Sequence, residues 1–137
     1  MAQTEANGQT ACEDWVRSCW LPTRYGQAFH RESLQISTGV FDCDAVSADG
    51  RIVAAISTSC AGAPSGQRGV GQLFLLRTGM GFLLLAGAAR AIVVLTQRDL
   101  YDQCEKERRR GRMPDGVELV YAELPAELAA QVGANGG

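Results

Sequence analysis

FDCDAVSADGRIVAAISTS, residues Phe41 to Ser59, reads as two short strands joined by an Asp-Gly turn, and the rest of the chain falls into place around it. Asp49-Gly50 supplies the positive backbone φ that a tight two-residue hairpin loop demands, and β-prone residues flank it on both sides. Strand alternation predicts Phe41, Cys43 and Ala45 on one face and Asp42 with Asp44 on the other, about 7 Å apart by strand rise. Two carboxylates so placed repel each other unless solvent, a cation or a basic partner covers them. The second arm is small and apolar until it turns to Ser57, Thr58 and Ser59.

Upstream, Leu34 to Ser37 reads as a brief strand and Thr38-Gly39 as a turn, giving three antiparallel strands in a meander. Before them, Thr10-Ala-Cys-Glu13 matches a capping box, so a helix is expected from Ala11. Pro22 is expected to end it near Leu21. Trp15, Val16, Cys19 and Trp20 form its apolar side. Downstream, Cys60 to Gly71 reads as a Gly/Ser/Pro loop carrying Gln67 and Arg68. A helix then runs from Gln72 to Ala89, with Leu73, Leu76, Met80, Leu83 and Leu84 at helical spacing. Arg77 and Arg90 cut its uncharged run below the ~20 apolar residues of a membrane span, so no membrane partner is expected. Gly79, Gly81 and Gly87 suit close packing on a sheet. The unbroken apolar run Ala91 to Thr96 is that of a central strand covered on both faces, parallel to the second hairpin arm across a right-handed crossover. Thr96 is expected to cap a further helix to about Arg109, Val117 to Leu124 to form a last strand, and Pro125 to Val132 a short helix.

At 137 residues and 46% hydrophobic content the chain suits one domain, residues 10–132, between disordered ends 1–9 and 133–137. The polar N-terminus lacks the charged-then-apolar start of a signal peptide. Five cysteines, Cys12, Cys19, Cys43, Cys60 and Cys104, form no CxxC pair, which favours reduced thiols and a cytoplasmic setting. With His30 as the one histidine, a zinc site built on histidine pairs is excluded. A net charge of −2 leaves room for a local basic patch, and KERRRGR is that patch. Lys106, Arg108, Arg109, Arg110 and Arg112 put five of thirteen basic residues into seven positions. They suit either a solvated helix C-terminus, where the dipole favours cations, or contact with nucleic-acid phosphates. Arg68, with Ser57, Thr58 and Ser59, could add a phosphate contact, or these residues simply end a strand. No P-loop pattern is present.

The order helix, three antiparallel strands, helix, strand, helix, strand resembles the core of the PD-(D/E)XK nuclease superfamily, the restriction-endonuclease-like fold, over roughly Ala11 to Leu124. The resemblance implies an α/β domain with a mixed central sheet of four to five strands flanked by helices. It implies a metal-binding aspartate at Asp44, but sets Ala55 where the family has glutamate and Ser57 where it has lysine. Those groups hold a divalent metal and orient water. The expectation is a degenerate relative without a cofactor, acting as a nucleic-acid-associated or complex-forming module. One alternative is an active magnesium-dependent nuclease, with Asp42 and Glu13 joining Asp44 and Gln72 as a neutral helper. Another is a protein-interaction subunit, a homo-oligomer if Trp15, Trp20 and the glycine-dotted helix are exposed. Asp42 and Asp44 also suit edge-strand charges that discourage strand pairing.

Overall fold

Ser47 to Ile52 reverse the chain by a different turn from the one Asp49-Gly50 implies. The Gly50 amide donates to the Ser47 carbonyl at 2.9 Å, and Gly50 has φ +74°. Among the described residues no non-glycine has positive φ, so Ala48 and Asp49 make a type I turn and Gly50 follows in the left-handed region. Asp49 earns its place through its side chain. Its carboxylate accepts from the Ser47 hydroxyl at 2.7 Å and the Arg51 amide at 3.0 Å, which together hold its pKa below the ordinary aspartate value.

The structure, a computed structural model, describes residues 10–36, 39–58 and 67–130, without the side chains of 67–75. The elements are helix α1 (10–25), strands β1 (Phe29–Ile36), β2 (Gly39–Ser47) and β3 (Ile52–Ser57), helix α2 (Gln67–Leu85), strand β4 (Arg90–Leu95), helix α3 (Arg98–Arg109), strand β5 (Val117–Tyr121) and a short helix α4 (126–130). The strands form one five-stranded mixed sheet in the order β1-β2-β3-β4-β5. β1, β2 and β3 are antiparallel neighbours, while β3, β4 and β5 run parallel. The domain is therefore α/β, with helices on both faces of the sheet.

Each face has its own core. On one, Val46, Val53, Val93 and Leu95 meet Met80 and Leu83 of α2 and Leu100 and Cys104 of α3. On the other, Ala45, Ala54, Ile56, Ile92 and Val94 meet Val16 and Leu21 of α1. β4 is buried on both sides, as its unbroken apolar run requires.

Several expectations are corrected. Ala45 lies on the opposite face from Cys43. Glu32 pairs with Cys43 and His30 with Val46, two steps on β1 against three on β2, so a β-bulge at Asp44 reverses the alternation. α1 does not stop at Leu21. It widens into a π turn over Val16–Trp20, where the Leu21 amide bonds to the Val16 carbonyl, and this accommodates Pro22, which has no N–H to give. The helix ends at Gly26, φ +74°. β1 begins at Phe29 rather than Leu34; its residues His30 to Ser33 are exposed, so they carry no apolar alternation that would mark a strand in the sequence. α2 begins at Gln67, so Arg68 belongs to its first turn and not to a loop. A Cβ at Gly79 or Gly81 would meet nothing within 4 Å, so neither glycine serves close packing, and Gly87 instead takes positive φ after the helix. Gln97, not Thr96, is the N-cap of α3. Thr96 instead ties β4 to β3, its amide donating to the Ser57 carbonyl at 3.1 Å and its hydroxyl at 3.3 Å. β5 stops at Tyr121, three residues short of Leu124. Among the described residues no helix is long and apolar enough to cross a membrane.

Candidate functional site

The bulge sets Asp44 at the junction of β2, β3 and α1. The β2–β3 ladder pairs Ala45 with Ala54 and Val46 with Val53, and beyond it a side chain stands in for the backbone. One Asp44 carboxylate oxygen accepts the Ile56 amide at 2.9 Å. Cys43 Sγ lies 3.3 Å from the Ala45 carbonyl and 3.5 Å from that of Ala54. Asp44's own carbonyl accepts from Arg17 Nε at 2.7 Å, and Arg17 also reaches Asp14 at 2.8 Å and Glu13 at 3.8 Å. Burial raises the Glu13 pKa, and the Asp44 charge raises it further.

Glu13 and Asp44 are thus brought within electrostatic reach, while Asp42 is turned away. It is exposed and accepts the Ser33 hydroxyl at 2.6 Å, beside a shallow cavity of about 260 Å³ lined by Arg31, Glu32, Ser33, Asp42 and Cys43. The magnesium that the resemblance implies does not fit these residues. A backbone amide already takes one Asp44 oxygen, Asp42 points elsewhere, and the cation beside Glu13 is the guanidinium of Arg17. Among the described residues no three His, Cys, Asp or Glu side chains form a group that could hold a metal ion. Ala55 packs with the α2 and α3 core, and alternation carries Ser57 to the same side, away from α1 and Glu13. The residues of β3 facing α1 are Ile52, Ala54 and Ile56, so neither register of the strand offers an acid or a lysine.

The sign of the Glu13 shift makes a prediction. Its folded pKa lies above the unfolded one, so its ionised form costs stability at neutral pH, and acid removes that cost. Glu13→Gln is expected to raise stability at pH 7, with the gain vanishing as the pH falls below the ordinary carboxylate range. Urea unfolding at the two pH values checks this, and an equal gain at both would remove the assigned cause.

The polar strand end is divided. Ser57 closes β3, Thr58 is buried, and Ser59 lies outside the described residues. The side chains of Arg68 and Gln72 are also outside them. His30 pairs with Glu32 at 2.7 Å on the exposed edge of β1. Cys12, Cys43 and Cys104 are buried free thiols, and burial pushes Cys104 up to about 11, so it stays protonated. Trp15 and Trp20 are half-buried against the α1 core. A wider hollow of about 430 Å³ opens at the C-terminal ends of β4 and β5, but the cation on its wall, Arg98, is already paired with Asp102 and stacked over Tyr101 and Tyr121.

The basic run closes α3, with Lys106, Arg108, Arg109, Arg110 and Arg112 all exposed. Arg108 pairs with Glu105 at 3.1 Å, and Arg109 Nε reaches the Glu105 carbonyl at 3.4 Å. Arg110 and Arg112 gather around Glu107, which is 6% exposed, each at 3.7 Å. Arg77 of α2 meets the same carboxylate at 2.7 Å. Arg77 and Glu107 escape a reading of the sequence because they are 30 residues apart and meet only when α2 packs beside α3. Glu107's position among five cations was the one available signal. No protein-family model, curated protein or solved structure matches the chain.

Proposed function

We propose that the chain is a non-catalytic relative of the PD-(D/E)XK scaffold, a cytoplasmic module that associates with nucleic acid through the basic end of α3. The order of elements agrees with the resemblance: α1, an antiparallel meander, a crossover helix, and two further parallel strands. The observation that carries the reading is the charge surplus between residues 105 and 112, where five exposed cations stand against Glu105 and Glu107. Phosphate is the partner suited to such a surplus, and no set of aromatic or amide side chains accompanies it to read bases.

The non-catalytic half rests on Ala55 and Ser57, which replace the two groups the chemistry needs. Purified protein incubated with magnesium or manganese is expected to leave duplex DNA and RNA at full length. Robust cleavage that disappears in Asp44→Ala would overturn this half of the reading. A protein-interaction role is the second reading, favoured by the exposed apolar side chains Val40, Phe82, Leu84 and Leu85. A stable oligomer by light scattering, without affinity for nucleic acid, would put it first.

A further inference from the structure

We propose that Glu107 is a positioning residue, holding Arg77, Arg110 and Arg112 as a preformed seat for one phosphate of a nucleic-acid backbone. This rests on the nucleic-acid reading above. Three guanidinium groups share one buried carboxylate, leaving two positive charges uncompensated. Only Arg77 is in direct contact at 2.7 Å, and it still leaves a buried Nε without a hydrogen-bond partner. At 3.7 Å Arg110 and Arg112 are drawn to Glu107 but not hydrogen-bonded to it, so their forks keep donors for a second anion. Backbone bonds fix the turn that presents them, with the Arg110 and Arg112 amides donating to the Glu107 carbonyl at 3.2 and 3.0 Å. A free arginine loses rotamer entropy on being held, and the central carboxylate imposes part of that order beforehand. Phosphate, planar-matched by guanidinium forks, is the anion this arrangement suits.

Glu107 gives the proposal an unusual sign. Simple Coulomb attraction says that removing a negative charge beside a phosphate site strengthens binding. Positioning says that it weakens binding. The test is duplex DNA affinity of the full chain by fluorescence anisotropy at low salt, for wild type, Glu107→Gln and Asp115→Asn, the last making the same charge change on the exposed turn nearby. We expect Glu107→Gln to bind about tenfold more weakly, with a log-log salt slope shallower by about one, while Asp115→Asn binds no more weakly than wild type. Thermal melting shows whether Glu107→Gln still folds. If it does not, the pair Arg110→Ala/Arg112→Ala takes its place, with a loss of about one to two units of slope expected. Wild-type binding with Glu107→Gln equal or tighter would overturn the positioning role and leave the nucleic-acid reading standing. Failure of wild type to bind at low salt would overturn both. Inorganic phosphate that raises the melting temperature of wild type but not of Glu107→Gln, with equal duplex affinities, would assign the seat to a free phosphate and overturn the backbone assignment.

Discussion

Replacing Arg17 with methionine is expected to lower the unfolding free energy by about 3 kcal/mol, the upper end of what a hydrogen bond to a charged group contributes. Arg17 is 12% exposed and holds the bulge to α1 through its bond to the Asp44 carbonyl. Without the guanidinium that carbonyl loses a charged donor, and Glu13 loses the stronger of the two cations, Arg17 and Arg31, that offset the Asp44 charge. Methionine keeps much of the stem's packing, so the change reports mainly on the charge and the donor. The melting temperature should fall by roughly 10 °C for a domain of this size. The deficit should narrow in acid, where Glu13 is protonated. A loss of less than about 1 kcal/mol would mark Arg17 as an ordinary surface cation and leave the bulge to hold itself.

Raising salt from 50 to 200 mM is expected to weaken duplex DNA binding by roughly 40- to 150-fold, the consequence of three or four phosphate contacts releasing counterions. Of the cations that could make them, Arg108 is paired with Glu105 and Arg109 reaches the Glu105 carbonyl, while Arg110 and Arg112 are drawn to Glu107 without a hydrogen bond to it. Affinity independent of salt would show that the basic run only solvates a helix end, and the apolar surface at Phe82 and Leu85 would then be the better guide to a partner.

What could be read in the sequence was what short stretches encode. β4 announces itself because five consecutive buried apolar residues, Ala91 to Leu95, need no distant partner to be recognised, and the β3–β4 crossover follows from it. The hairpin was legible for the same reason, but its turn type was not, since Asp49 contributes a carboxylate cap and not a positive φ. The bulge at Asp44 was hidden because it is set by the register against β1, and one extra residue reverses which face each neighbour takes. Pro22 misled because a π turn absorbs the missing amide. At the candidate sites, Glu13 and Asp44 come within electrostatic reach of each other, but the cation beside them is Arg17, which spacing alone does not single out. The meeting of Arg77 with Glu107 depends on how two helices pack and has no local signature.

The central claim, that the basic end of α3 is a phosphate-binding surface, is tested most directly by the log-log slope of duplex affinity against salt for wild type and for the variant Arg108→Ala/Arg109→Ala/Arg110→Ala. The account predicts a wild-type slope of about −3 to −4 that flattens in the variant by roughly the number of phosphate contacts removed. A slope that is the same in both proteins would contradict it.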